Sequence, residues 1–162
     1  MLFRSAFNSL RPQPLQEFMG GNVCIPRQAA LALGGFDQNF VRVAYRFEAE
    51  FAHRWRQVGH AILYEPEALI HHLRAERGGT RSYGKHLTTL RPDHAVGRYY
   101  FLLRTLPFAA ALRSAAGEWF RSVRSRHHLR HPWWIPLTLW AELRGLAWAL
   151  RLHSREIGRA HV

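Results

Sequence analysis

The chain changes character near residue 92, and this change limits the folds open to it. Before that point, short apolar runs are separated by three glycine pairs, Gly20-Gly21, Gly34-Gly35 and Gly78-Gly79. From Gly97 onward the apolar residues recur at helical spacing, with a break expected near Pro107. The pattern predicts an α/β portion over residues 1–94 and an α-helical extension over residues 95–162.

The best-marked helix of the first part is predicted over Tyr45–Val58. One apolar stripe at helical period runs along it, formed by Phe47, Phe51, Trp55 and Val58. Glu50 and Arg54 form an i,i+4 pair in the favourable order. Shorter elements are expected around this helix, namely a strand at Asn22–Ile25, a helix at Arg27–Leu33, and strands at Ala61–Tyr64 and Ala68–His72.

The extension is expected to hold a helix over Tyr99–Val123 that breaks near Pro107, and a last helix over Pro136–His153. Between them, residues 124–131 carry arginines and the histidines His127, His128 and His131 without a neighbouring carboxylate. We expect a solvated basic hinge there rather than a metal site.

Charge and cysteine content restrict the function classes. Lys and Arg number 23 against 11 Asp and Glu, a formal net charge of +12, which predicts attraction to phosphates, anionic lipid or nucleic acid. A base-composition origin explains the arginine excess equally well. Because Cys24 is the single cysteine, a disulfide framework and a Cys-rich zinc site are excluded. Nucleic-acid binding is disfavoured, since the aromatic residues lie at core-like spacing and no recognised nucleic-acid motif occurs.

Apolar stretches of the chain are short. A membrane-spanning helix needs about 20 apolar residues, and Thr105–Leu112 and Pro132–Ala141 fall well short of that. The first residues also lack the basic-then-apolar order of a secretion signal. These features predict a cytoplasmic protein whose membrane contact, if any, is peripheral on the inner face of the cell membrane.

Two glutamates of the predicted helix at 45–58 are candidates for acid–base chemistry. Glu50 has Arg54 as a local partner, which favours a salt-bridged surface role. Glu48 lacks a basic residue four positions away and borders the apolar stripe, where partial burial raises a carboxyl pKa as a general base requires. An exposed helix glutamate is the simpler interpretation of Glu48 from these residues alone.

Five short motifs follow one another over residues 18–82. They are Gly20-Gly21-Asn22 with Arg27, Leu33-Gly34-Gly35-Phe36-Asp37, Arg46-Phe47-Glu48-Ala49-Glu50, Arg54-Trp55-Arg56-Gln57-Val58-Gly59, and Tyr64-Glu65-Pro66-Glu67-Ala68 with His71-His72. In this order and spacing they resemble the second half of family-2 glycosyltransferases. The resemblance implies an α/β fold, the C-terminal, acceptor-side part of a Rossmann-like GT-A domain, followed by the helical tail.

The resemblance also implies roles for individual residues. Glu48 falls at the position of the family's catalytic base, which deprotonates an acceptor hydroxyl as it attacks the anomeric carbon of a nucleotide-activated sugar. Glu50 falls at the next acidic position and is expected to help position the acceptor. The expected lining of the sugar pocket is Gly20, Gly21 and Asn22.

Metal and diphosphate contacts are implied further along the chain. His72, six residues past Pro66, takes the place of the histidine that meets a divalent metal, Mg²⁺ or Mn²⁺, with His71 as the alternative if the register shifts by one. Arg81 lies in a glycine-containing loop able to close over a diphosphate. The implied partners are a nucleotide-sugar donor and a glycan or lipid-linked acceptor of the cell envelope or of secondary metabolism.

The chain departs from the family pattern in two ways. Phe47 replaces one carboxylate of the acidic pair, and the nucleotide-binding half with its D-x-D motif is expected upstream of residue 20, where only 19 residues stand. The resemblance therefore implies an enzyme fragment that binds nucleotide sugars negligibly by itself. An internal start, a degenerate remnant and completion by a second polypeptide remain open.

A non-enzymatic function is the alternative. The helix at 136–153 is apolar around most of its circumference but is interrupted by Glu142, Arg144 and Arg151. With the arginines that precede it (Arg121, Arg124, Arg126 and Arg130), it predicts either a helix lying at an anionic membrane surface or an ordinary helix packed in the fold. On this interpretation the chain is a basic module that binds a membrane or a partner protein.

Overall fold

The computed structural model describes residues 9–71, 82–84 and 87–160, with the side chains of the last helix described to residue 156. In this part the chain is mixed α/β, mainly helical, with a two-stranded sheet. It forms two compact units, Met1–Asp37 with Phe47–Arg74, and Gln38–Arg46 with Ala75–Val162. The predicted boundary between an α/β portion and a helical extension after residue 94 stays a prediction.

Four elements build the first unit. They are β1 (Gln13–Leu15), α1 (Arg27–Ala32), α2 (Phe47–Gln57) and β2 (Ile62–Tyr64). The strands pair antiparallel, with Pro14 opposite Leu63. Both predicted helices and the strand at Ala61–Tyr64 are confirmed within a few residues, whereas β1 lies in a stretch for which no element was predicted.

Two predicted strands are wrong over their described residues. Residues 22–25 and 68–71 are irregular, and His72 lies outside the described residues. Backbone groups that would pair with a neighbouring strand form turn hydrogen bonds instead. The backbone N–H of Asn22 donates to the Met19 carbonyl, and the backbone N–H of Ala68 donates to the Glu65 carbonyl. Turn formation around glycine and proline therefore overrides the short apolar runs.

The core of the first unit surrounds Phe51 of α2. Phe51 and Ala52 are fully buried. Phe18 is buried beside them, and its ring meets the Phe51 ring edge-on at 6.1 Å between centroids. Trp55 stacks on Phe51 one turn further along α2, at 5.9 Å. The predicted stripe is confirmed at these positions but not at Val58, which is exposed just beyond the end of the helix.

Helices make up the described part of the second unit. A short 3-10 helix (Pro92–His94) precedes α3 (Val96–Thr105), α4 (Phe108–Ser122), α5 (Arg126–Arg130) and α6 (Trp134–Ala160). The break at Pro107 is confirmed, because Leu106 is extended and Pro107 stands at the N-cap of α4. No helix in the described part of the chain has the length and apolarity needed to cross a bilayer.

Small residues bring α6 close to α3. Tyr99, Tyr100 and Val96 of α3 are fully buried, and the buried face of α6 carries Ala141, Gly145 and Ala149. A Cβ atom on Gly145 would lie 2.6 Å from the Cβ of Ala95. The absence of a side chain at 145 therefore permits the close approach of the two helices.

A polar network joins α3, α4 and α6 at the edge of this core. Arg98 pairs with Glu142 and lies 3.7 Å from Glu118, and the Tyr99 hydroxyl donates to Glu142 at 2.6 Å. Burial, and then the Glu142 carboxylate, raise the pKa of Tyr99. Burial alone lowers the pKa of Arg98, but Glu142 outweighs it and the net shift is upward. The network therefore holds a neutral tyrosine and a charged arginine.

The expectation of a solvated hinge at 124–131 is wrong for its central histidine. Ser125 caps α5, and His128 is 1% exposed. The two ring nitrogens of His128 contact the Ser125 hydroxyl at 2.8 Å and the Thr138 hydroxyl at 3.0 Å. Because both ring nitrogens have partners, the imidazole is buried as a hydrogen-bonded link between α5 and α6.

Candidate functional site

The first turn of α2 carries the two glutamates singled out from the sequence. Glu48 is half-buried, and Glu50 is buried. Both lie in the first turn, at the positive end of the helix dipole. Two residues correspond to about 200° of rotation in an α-helix, so the two side chains leave the helix on different sides.

Glu50 is held by Arg54 in a two-bond fork. Arg54 Nε donates to Glu50 Oε1 at 2.7 Å, and Arg54 Nη2 donates to Oε2 at 2.8 Å. The pair is an i,i+4 pair as predicted, but Glu50 is only 2% exposed, so a surface role for it is wrong. A carboxylate with both oxygens engaged by one guanidinium is built to fix structure rather than to accept a substrate proton.

Arg54 also ties α2 to the end of α1. Its Nη1 donates to the Leu33 carbonyl at 2.7 Å, and its Nη2 donates to the Gly35 carbonyl at 2.9 Å. Gly34 and Gly35 have φ of 82° and 67°, a left-handed conformation that strains any residue with a Cβ. The chain turns at the glycine pair, and the Leu33 and Gly35 carbonyls face Arg54. With the buried Glu50 they form what we call the Arg54 clip (Glu50, Arg54 and the Leu33 and Gly35 carbonyls).

Gly20 lies against the beginning of α2. A Cβ atom at position 20 would be 2.9 Å from the ring of Phe47, whereas at Gly21 it would meet nothing within 4 Å. The Phe36 ring also packs edge-on against the Phe47 ring, with centroids 5.4 Å apart. The structure thus brings Gly20 next to Phe47, the residue before Glu48, while Gly21 is exposed without such a contact.

The remaining predicted site residues are placed less completely. Asn22 is exposed, and its side-chain amide donates to the Ala68 carbonyl at 2.7 Å, which links the 20–25 loop to the segment after β2. His71 is exposed. The predicted metal ligand His72 and the predicted diphosphate contact Arg81 lie outside the described residues.

A divalent metal was implied by the family resemblance. Over residues 9–71, 82–84 and 87–160, no three His, Cys, Asp or Glu side chains are grouped closely enough to hold a metal ion. The described residues therefore do not supply a ligand set by themselves, and we derive no step through a metal.

The second unit contains a cavity that no sequence pattern predicted. It is open to solvent, has a volume of about 570 Å³ and is lined by five arginines, Arg42, Arg91, Arg144, Arg151 and Arg155. Three of these recur at i, i+7 and i+11 along α6, a spacing that places them on one helix face. That spacing is readable from the sequence, where Arg144 and Arg151 were interpreted only as interruptions of an apolar helix and Arg155 lies beyond the predicted helix end.

Comparison with models of known families, with curated proteins and with solved structures finds no match for this chain. We therefore infer its function from its own geometry, at the start of α2 in the first unit and on the helices of the second unit.

Proposed function

We propose that this chain is the acceptor-side part of a family-2-like glycosyltransferase with a GT-A, Rossmann-like fold, which transfers a sugar from a nucleotide donor to an envelope or secondary-metabolite acceptor. Glu48 is its general base. The observation that supports this assignment is the contrast within the first turn of α2: Glu50 is buried in the Arg54 clip, whereas Glu48 lies half-buried on another side of the helix.

The surroundings of Glu48 suit a base that must be held at a fixed angle. Phe47 on one side of it packs against Phe36, and Phe51 one turn later is fully buried. The clip then anchors the same helix to the end of α1 through the Leu33 carbonyl. A carboxylate carried by a helix braced in this way keeps its direction better than one on a loop.

In the proposed reaction the acceptor hydroxyl donates a hydrogen bond to the Glu48 carboxylate. As the hydroxyl oxygen attacks the anomeric carbon, its proton passes to Glu48, and the bond from that carbon to the nucleotide diphosphate breaks with both electrons leaving on the diphosphate. The missing side chain of Gly20 lets the Phe47 ring pack closely against its backbone, next to Glu48. Glu50 acts only through the position of α2.

The test is a pair of isosteric substitutions in the complete enzyme to which the proposal assigns this chain. Glu48→Gln keeps the shape but removes the base, and should lower kcat by about 10²- to 10⁴-fold. Glu50→Gln should lower kcat less, and in parallel with lost stability. Glu67→Gln, an exposed glutamate outside α2, is the matched control. Near-normal kcat in Glu48→Gln with complete loss in Glu50→Gln would identify Glu50 as the base.

A second candidate function is binding to an anionic membrane surface from the cytoplasmic side. Around α5 and the start of α6, large apolar side chains are exposed, with Leu129 at 85%, Trp133 at 61% and Trp140 at 57%. Exposed arginines lie in the same segment, at Arg124, Arg126 and Arg130. Apolar and basic side chains in one segment match an interface where acyl chains lie beneath anionic headgroups.

Vesicle flotation tests this candidate. The chain should float with phosphatidylserine-containing vesicles more than with phosphatidylcholine vesicles, and Trp133→Ser/Trp140→Ser should abolish the difference. Leu10→Ser/Leu69→Ser removes two exposed apolar side chains of the first unit and should leave flotation unchanged. Equal flotation with both vesicle types would exclude the candidate.

A further inference from the structure

Five guanidinium groups and one carboxylate line the cavity of the second unit, so its wall carries a net charge of +4. Like charges gathered around one concavity repel one another and raise the local potential felt by an anion. A volume of about 570 Å³ is in the range of small-molecule sites. The cavity is therefore a strongly electropositive space of ligand size.

Three of its arginines are held in place by the fold. Arg91 Nε lies 2.7 Å from Asp93 Oδ2, and Arg42 Nε lies 3.8 Å from Asp93 Oδ1, with Asp93 itself buried. Arg144 Nη1 donates to the Leu90 carbonyl at 3.2 Å. These contacts fix the direction of the side chains before any ligand arrives, which lowers the entropy lost on binding.

Arg42 is further restrained by its backbone and by an aromatic ring. Its φ of 64° is left-handed, and Ala44 and Arg46 repeat this conformation at 53° and 75°. Its guanidinium carbon lies 5.8 Å from the centre of the Trp148 ring. Left-handed conformations of non-glycine residues cost free energy and persist where the surrounding structure enforces them, as at ligand sites.

The other two arginines are available to a ligand. Arg151 and Arg155 are exposed, and within the described part of the chain neither has an ion-pair partner. With Arg144 they form a stripe along three turns of α6, about 16 Å from first to last Cα. One phosphoryl group is short compared with this stripe, so two linked phosphoryl groups engage more of it.

We propose that this cavity, which we call the arginine cavity, is a binding site for an anion that carries phosphoryl groups, with a diphosphate as the best match. Guanidinium forks bind phosphoryl oxygens in pairs, and a net charge of +4 favours a multivalent anion over a single carboxylate. Arg151 and Arg155 supply the contacts made on binding, while Arg42, Arg91 and Arg144 form the prepared wall. The cavity lies wholly within the second unit, and the proposal does not depend on sugar transfer.

Calorimetric titration of the chain with inorganic pyrophosphate tests the site. Arg151→Gln/Arg155→Gln should weaken binding at least about tenfold, because it removes two charge-assisted contacts. Arg56→Gln/Arg113→Gln is the matched control: both arginines are exposed, outside the cavity, and their loss changes the net charge equally. This control should change affinity less than about threefold, since exposed charges at a distance are screened by salt. Far-UV circular dichroism checks that all variants fold.

Flotation with phosphatidylcholine vesicles containing phosphatidic acid distinguishes the source of the phosphate group. Pyrophosphate binding that depends on the cavity arginines identifies a soluble diphosphate as a sufficient ligand. Cavity-dependent flotation without pyrophosphate binding identifies a lipid headgroup. The proposal is overturned if neither probe binds, or if the cavity variant and the control weaken binding equally, because the attraction is then only the general positive charge.

Discussion

Replacing Arg54 by methionine should destabilise the first unit more than replacing Glu50 by glutamine. Methionine retains much of the side-chain length over the Phe51 ring, which Arg54 now covers at 5.3 Å, but it leaves the Glu50 carboxylate buried without its two bonds. A buried charge that loses its partner costs about 3–5 kcal/mol. The Leu33 and Gly35 carbonyls lose a donor as well, and partial exposure lets water replace part of it.

Glu50→Gln removes a charge from the other side of the clip. Arg54 keeps its bonds to the two carbonyls, and its side chain is 20% exposed, so its charge remains solvated in part. The expected loss is that of a hydrogen bond between charged groups, about 1.5–3 kcal/mol. The double variant removes both charges together, so its cost should be less than the sum of the single costs by about 0.5–3 kcal/mol.

Hydrogen–deuterium exchange of peptides covering α1 and α2, combined with urea unfolding, measures these losses where the clip acts. Glu48→Gln is the control and should cost under about 1 kcal/mol, because Glu48 is half-buried rather than buried. The reasoning is refuted if Glu50→Gln costs as much as Arg54→Met, or if the double variant costs the sum of the two. Either result would show that the two charges do not act as one unit.

Three further predictions concern the helices of the second unit. The free energy of unfolding should fall by about 1.4 kcal/mol per pH unit above pH 10. Above this pH a tyrosine of the unfolded chain ionises, whereas Tyr99, whose pKa is raised in the folded state, does not. Tyr99→Phe should remove this slope in urea titrations at several pH values. Gly145→Ala should destabilise the protein by about 1–3 kcal/mol because the new Cβ atom clashes with Ala95, whereas Gly117→Ala should stabilise it by about 0.5–1 kcal/mol. Thermal unfolding measures both changes, and a shift of the melting temperature in the same direction for both variants would contradict the packing argument. Thr138→Val should cost about 1–3 kcal/mol because the buried His128 ring loses its hydrogen bond to the Thr138 hydroxyl, and a loss below about 0.5 kcal/mol in urea unfolding would show that this bond does not stabilise the fold.

Local pattern was enough to predict most helices. The stripe of Phe47, Phe51 and Trp55 located α2, and Pro107 located the break between α3 and α4, because both signals depend only on neighbouring residues. The apolar run at 61–64 predicted β2, whereas β1 has only three residues, too few for alternation to mark it, and its pairing with β2 over about fifty residues of chain is a tertiary event.

The site could be predicted only in part for the same reason. The pairing of Glu50 with Arg54 was readable at i,i+4, but its burial follows from the two carbonyls that Arg54 reaches from α1. The left-handed residues at 42, 44 and 46 have no local signal, since none is glycine or asparagine. Tertiary contacts impose that conformation, and with it the position of Arg42 in the arginine cavity.

The excess of arginine does not by itself identify a partner, because arginines in this chain serve opposite purposes. Arg54 directs its donors into the fold, to one carboxylate and two carbonyls, and every N–H group at its Nε and Nη2 is engaged. Arg151 and Arg155 lie exposed on one face of α6 beside a cavity whose other arginines are already fixed. A net charge of +12 predicts attraction to any polyanion, whereas only arginines arranged like the latter pair can select a phosphate group by geometry. The comparison of charge-matched variants separates these two effects, since it holds the net charge constant and changes only where the charge is lost.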